Sequence, residues 1–76
     1  MNYVVLPENS NPDVTYMISK WYVTLGSRVK TGDALMAYEE DKCVVDVHSD
    51  FDGEIAEIYV REEEIVAPGT RVCAIV

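Results

Sequence analysis

Basic side chains are scarce in this sequence: six Lys and Arg stand against fourteen Asp and Glu, and the formal net charge is −8. A nucleic-acid-binding surface must be cationic to displace counterions, and a few scattered bases among so many acids do not make one. The same deficit excludes an anionic membrane as partner. Long apolar runs are also missing. None approaches the roughly 20 residues of a membrane-spanning helix, and the opening residues Met1-Asn2-Tyr3-Val4-Val5-Leu6-Pro7 lack the basic segment of a signal peptide. The expected location is the cytoplasm, or the mitochondrial matrix in a eukaryote, with no transit peptide in this chain. Cys43 and Cys73 are too few and too far apart for a disulfide scaffold, which points to a reducing compartment. A single His and scattered Ser residues lack the acid and oxyanion context of a nucleophile. The 76 residues allow one domain, 1–76, with little left to build a deep catalytic pocket once a core is made.

Material for that core is plentiful, because 49% of the residues are apolar, far above a disordered acidic tail. Val and Ile greatly outnumber Leu, and Thr and Tyr add further residues suited to a pleated surface. Runs of strand-forming residues with partial alternation cover Leu35 to Glu39, Cys43 to His48 and Ile55 to Val60. Turn signals separate these runs: Asn11-Pro12-Asp13, Leu25-Gly26-Ser27, Thr31-Gly32-Asp33, Asp52-Gly53 and Ala67-Pro68-Gly69-Thr70. No stretch keeps a helical period, and Glu62-Glu63-Glu64 reads as a solvated loop. The pattern predicts an all-β sandwich or small barrel.

Sliding the sequence by 37 residues brings two halves into register without a gap. Ile18 falls on Ile55, Trp21 on Ile58, Tyr22 on Tyr59 and Val23 on Val60. Val29 falls on Val66, Gly32 on Gly69, Leu35 on Val72 and Ala37 on Ala74. Each half reads as a strand, a short loop, a valine, a glycine turn and a second strand, so a pseudo-twofold architecture is expected, with Glu40 to Asp52 as the bridge. Within the bridge, Glu40-Asp41-Lys42 joins two facing strands and puts Asp41 and Lys42 at a hairpin tip. Lys42 is the only Lys or Arg between Lys30 and Arg61. A turn tip exposes its side chain and leaves room for an enzyme to grip the flanking strands, as modification of one lysine requires.

Other constellations are weaker. Asp46, His48, Asp50 and Asp52 alternate and could share one face, which is ligand-like for a divalent metal, but a lone His among carboxylates in a run entering a turn reads as a solvated acidic face. Asp50-Phe51-Asp52-Gly53 lacks the further carboxylates of a calcium loop, and Cys43 and Cys73 lack metal-binding spacing. Trp21, Tyr22, Tyr38 and Tyr59 read as core or sheet-face residues.

The central stretch Tyr38-Glu39-Glu40-Asp41-Lys42-Cys43-Val44-Val45-Asp46-Val47 resembles the lipoylation hairpin of the biotinyl/lipoyl attachment domains, most closely the lipoyl domains of 2-oxoacid dehydrogenase dihydrolipoyl acyltransferases. Asp52-Gly53 with Ile55, and Gly26 with Val29 and Gly32-Asp33, resemble the loops of the two halves, and the likeness runs from about Val4 to Val76. The resemblance implies a flattened barrel of two four-stranded antiparallel sheets, a barrel-sandwich hybrid, with the lysine at one end and the termini at the other. It implies lipoate in amide linkage to Lys42, hairpin recognition through Asp41 and Glu40 with Glu39 beside them, and Cys43 as the hairpin flank. The implied partners are a lipoate ligase or lipoyl transferase, a thiamine-diphosphate-dependent decarboxylase, an acyltransferase catalytic domain and the flavoprotein dihydrolipoamide dehydrogenase. On that reading the domain carries acyl groups and electrons and makes no bonds itself. The end at Ala74-Ile75-Val76 leads to the expectation of a linker and catalytic domain beyond it.

Departures from the family pattern fall outside the turn itself. Cys43 stands where the family usually has Ala, and alternation directs it toward the core with Val45 and Val47. Tyr16 replaces a glycine at the start of a first-half strand, and Pro7-Glu8-Asn9-Ser10 lacks the usual glycine. Two alternatives remain open: a biotinyl carrier domain of a carboxylase, whose lysine is flanked by methionines where this chain has Asp41 and Cys43, and an unmodified barrel used for structure or docking.

Overall fold

A computed structural model describes all 76 residues, Met1–Val76, and contains eight strands and no helix. The strands are β1 (Asn2–Val5), β2 (Tyr16–Trp21), β3 (Arg28–Val29), β4 (Ala34–Glu40), β5 (Cys43–His48), β6 (Gly53–Ile58), β7 (Ile65–Val66) and β8 (Arg71–Ile75). They form two four-stranded sheets, β1-β8-β6-β3 and β5-β4-β2-β7, with every neighbouring pair antiparallel. The fold is the expected barrel-sandwich of two such sheets, in a body measuring 34 × 19 × 19 Å.

The backbone obeys the 37-residue repeat residue for residue. Strands β2, β3 and β4 begin at Tyr16, Arg28 and Ala34; β6, β7 and β8 begin at the equivalent Gly53, Ile65 and Arg71. Pairing repeats as well. Tyr16 and Met17 of β2 face Val66 and Ile65 of β7, while Gly53 and Glu54 of β6 face Val29 and Arg28 of β3. The register slips between Ile18 and Lys20 in one half and between Ile55 and Glu57 in the other. Each bulge twists its strand locally and lets the sheet curl over the core. Strands β5 and β1 play equivalent parts, because their ladders slip opposite Ala34/Met36 and between Val4/Val5 respectively.

The apolar positions of the alternating runs meet between the sheets. Ile18, Val29, Leu35, Met36, Tyr38, Ile55, Val72, Cys73 and Ile75 are buried members of one cluster that both sheets supply. Central strands β4 and β8 are buried on both faces, whereas β5 and β7 lie at sheet edges. Burial pushes the Cys73 thiol up to about 11, as expected where a thiolate would lose its solvation. Ser49 is the one buried polar residue, and its hydroxyl is satisfied within the loop, donating to the Phe51 carbonyl (2.6 Å) and accepting from the Phe51 amide (3.1 Å).

Three short strands, β1, β3 and β7, are not visible in the alternation, because two to four residues are too few to show a period. The run expected over Ile55 to Val60 is displaced toward Gly53, where pairing with β3 begins; beyond Ile58 the Tyr59 amide still donates to the Val72 carbonyl (2.9 Å). Tyr16, the departure that left local geometry open, opens β2 and is buried. Its ring lies 4.6 Å from that of Tyr38, and its hydroxyl donates to the Pro7 carbonyl (3.1 Å), tying the β1–β2 loop to the sheet.

Tyr16 is equivalent to Gly53, and the difference is steric. At Gly53, φ is +155° and a Cβ would sit on the Val76 carbonyl oxygen and the Ile75 side chain, whereas at Gly32, φ is +96° with open space around it. Gly53→Ala should therefore cost about 3 kcal/mol and Gly32→Ala about 1 kcal/mol. Urea unfolding of the two variants measures both, and equal losses would show that the close approach of β8 to Gly53 contributes nothing.

Candidate functional site

The β4–β5 hairpin is closed by the pair Glu40↔Cys43, so its loop is two residues, Asp41 and Lys42. Two-residue hairpin loops favour turns whose own twist matches that of the strands, and the commoner kind has positive φ at both positions. Asp41 (φ 48°) and Lys42 (φ 68°) adopt that conformation although neither is Gly or Asn. The left-handed region costs an ordinary L-residue about 1 kcal/mol. The ladder beneath imposes it, since Glu39↔Val44, Tyr38↔Val45 and Ala37↔Asp46 continue in unbroken register. Buried Leu35, Met36, Ala37 and Tyr38 fix β4 between β2 and β5, so the tip rests on the most deeply buried strand of its sheet.

Lys42 is exposed, and no carboxylate lies within ion-pair distance of its ammonium, although Glu39, Glu40 and Asp41 precede it directly. Asp41 is exposed; Glu39 and Glu40 are half-buried at the end of β4. The result is one free amine on a fixed stem inside a negative field. Such a tip can be acylated by an enzyme that grips the hairpin, and it can hold a long substituent clear of the body.

Cys43 differs from its expected place: it is exposed, not directed into the core. Val45 is 40% exposed and Val44 61%, and only Val47 of β5 packs against the core. The cause is the edge position of β5 together with the absence of a facing layer near the tip, where the partners of Cys43 and Val44 are the half-buried glutamates. Alternation assumes one buried face, and here neither face is covered. The outcome places a thiol and two valines beside Lys42, an apolar flank that sequence reasoning missed. The burial pattern of an edge strand near its turn could have indicated it.

The remaining acidic candidates do not converge. Asp46 accepts from the Tyr22 hydroxyl (2.9 Å), and the bonded carboxylate holds that phenol above its ordinary value. Asp52 accepts from the Thr31 amide (2.8 Å) and hydroxyl (3.0 Å), which lower its carboxyl below the usual range. Tyr38 is buried as expected, Trp21 half-buried, and Tyr22 and Tyr59 are exposed just past the ends of β2 and β6.

The fold and a lone exposed lysine on a two-residue turn define a carrier-type β domain. The chain belongs to the biotin/lipoyl attachment family, described as "Biotin-requiring enzyme", whose profile matches residues 4–75. Among solved structures it is similar to the lipoyl domain of the 2-oxoglutarate dehydrogenase complex from Azotobacter vinelandii, at 25% identity and a TM-score of 0.84, covering 100% of this chain and 96% of that one. It is also similar in fold to urea carboxylase from Kluyveromyces lactis, at 22% identity and a TM-score of 0.79, where all of this chain covers 6% of that one. A comparison with curated protein sequences gives no significant match. The family carries a covalently attached lipoate or biotin.

Two outcomes follow from the hairpin. Lys42→Asn should raise the stability of the domain by about 0.5–1 kcal/mol, because Asn tolerates the left-handed conformation better; urea midpoints of the two proteins measure it. A thiol reagent should modify Cys43 alone in the native protein, and Cys73 only after unfolding, as thiol counts with and without denaturant would show.

Proposed function

We propose that Lys42 carries lipoate and that this chain is the swinging-arm domain of a 2-oxoacid dehydrogenase dihydrolipoyl acyltransferase. The observation that carries the reading is an unpaired lysine on a left-handed two-residue turn, flanked by Asp41 and Cys43. The likeness to an Azotobacter lipoyl domain over nearly the whole of both chains supports lipoate. The likeness to urea carboxylase supports the second reading, a biotinyl carrier, against which stand the non-methionine neighbours of Lys42.

The hairpin fits the attached group. The Lys42 Nζ supplies the amide nitrogen, and nothing in the structure has to move to free it. When bound, lipoamide supplies a dithiolane that accepts acyl groups and electrons. The chain's own work is mechanical and electrostatic. The rigid β4 stem and the strained turn hold the lysine outward, and tethering turns encounters between separate active sites into intramolecular ones. Glu39, Glu40 and Asp41 give a modifying lipoate ligase or lipoyl transferase a charged grip, and they suit transient docking on basic surfaces of a decarboxylase, an acyltransferase domain and a flavoprotein dehydrogenase. Acylation removes one of six basic charges and takes the formal net charge from −8 to −9.

The test is coexpression with lipoate ligase and lipoic acid, and separately with biotin ligase and biotin, followed by intact-mass measurement. The expected result is addition of one lipoyl group, located at Lys42 by peptide mapping and absent in Lys42→Arg, with no biotinylation. Biotin addition alone would establish the second reading, and an unchanged mass in both cultures would leave an unmodified docking barrel.

A further inference from the structure

Away from the hairpin, the surface carries one open groove of about 750 Å³, floored by Trp21, Val23, Leu25, Ile58 and Val60. Trp21 and Ile58 are repeat equivalents, as are Val23 and Val60, so the groove straddles the pseudo-twofold axis. Its two rims are not alike. On the first half's side stand Thr24 and Leu25, with Leu25 63% exposed; on the other side stand their equivalents Arg61 and Glu62, followed by Glu63. An exposed apolar side chain thus faces a rim bearing two carboxylates and one guanidinium, Arg61.

Two details show that the acidic rim is held in place. One oxygen of Glu62 accepts from the Trp21 amide (2.9 Å), which fixes the carboxylate over the groove. Glu63 sits at φ 74°, in the conformation that its equivalent Gly26 adopts at φ 85°. A side chain there costs about 1 kcal/mol that glycine would avoid, and strain of this kind collects where a side chain has work to do. Folding does not need this carboxylate, because the bond that fastens the loop is made by the Glu63 backbone amide to the Ile18 carbonyl (2.6 Å).

We infer that this groove docks a lysine- or arginine-rich segment of a partner protein through an apolar side chain seated on Leu25 and Ile58 and cationic groups against Glu62 and Glu63. The two carboxylates outnumber Arg61 on this rim and favour a cationic occupant. A second copy of this chain, at −8, would meet like charge. Trp21 pairs with Met36, six residues before Lys42, so at about 3.3 Å per residue the groove lies roughly 20 Å from the turn tip. A partner held there leaves the lysine free to travel between other sites, and the inference stands whether Lys42 carries lipoate, biotin or nothing.

The test uses the unmodified 76-residue chain and a short lysine-rich synthetic peptide bearing leucines, with binding followed by Trp21 fluorescence and amide chemical shifts. Shifts should centre on Val23, Leu25 and Ile58 and spare Asp41 to Val44. Leu25→Ser should weaken binding about tenfold and Glu63→Gln about threefold, while Asp13→Asn, the same charge change on a distant loop, leaves it unaltered. Glu63→Gly should weaken binding yet raise the unfolding temperature, which separates lost recognition from lost folding. The inference is overturned if a peptide with serine in place of leucine binds equally well, if one with glutamate in place of lysine does, if shifts centre on the hairpin, if no peptide binds, or if the groove is filled by self-association of the chain.

Discussion

The structure depends on a reciprocal backbone exchange at two isoleucines. The Ile18 amide donates to the Glu64 carbonyl and its carbonyl accepts from the Glu63 amide; the Ile55 amide donates to the Ser27 carbonyl and its carbonyl accepts from the Gly26 amide. Each half thereby uses a strand residue to hold the loop of the other half. Both isoleucines are fully buried and both precede the register slip in their strands. The bulge releases each from its own ladder just where its polar groups are needed across the molecule, so both backbone groups of a buried residue are satisfied. A second reciprocal set closes the corners: the Leu6 amide and carbonyl bond to Thr70 and Gly69, and those of Ser49 bond to Asp33 and Gly32. A small apolar core gains from such closure, because neither half could bury its own face alone.

This symmetry explains why the lysine stands where it does. Strands β5 and β1 occupy equivalent places beside β4 and β8, and of these two pairs β4 and β5 are joined by a tight turn. At that position the chain passes from β4 to β5 and reverses within two residues. The only tight hairpin of the fold is therefore at the bridge. A left-handed pair of non-glycine residues is tolerable there because the strands below are clamped, and the strain points a side chain outward that a relaxed, longer loop would let wander.

The two halves, their longer strands and the turn tip were legible in the sequence because each has a local signature: runs rich in Val and Ile, glycine turns, and an ungapped repeat. The repeat was the strongest of these, since it fixed equivalences such as Ile18 with Ile55 that no single window contains. What stayed hidden depends on layers that the sequence does not display. Cys43 and Val45 have the alternation of core residues, yet no facing strand covers them. Tyr16 and Gly53 occupy one structural position with opposite demands, a ring packed on Tyr38 in one half and close approach of the Val76 carbonyl in the other. The positive φ of Glu63 was invisible because the equivalence with Gly26 matters only once the loop is built.

Duplication and asymmetry together account for a domain this small having distinct surfaces. Matching residues of the two halves make the frame: Ile18 and Ile55 at the crossings, Val23 and Val60 under the groove, Gly32 and Gly69 at the corners. Differences between the halves make what the frame displays. Charged groups appear among them, since Arg61, Glu62 and Glu63 replace Thr24, Leu25 and Gly26. The core tolerates little variation because both sheets share it, whereas loop positions outside the reciprocal bonds can change at the cost of local strain alone. Function in such a fold accumulates where the repeat is broken, and the turn carrying Asp41 and Lys42 is its largest break.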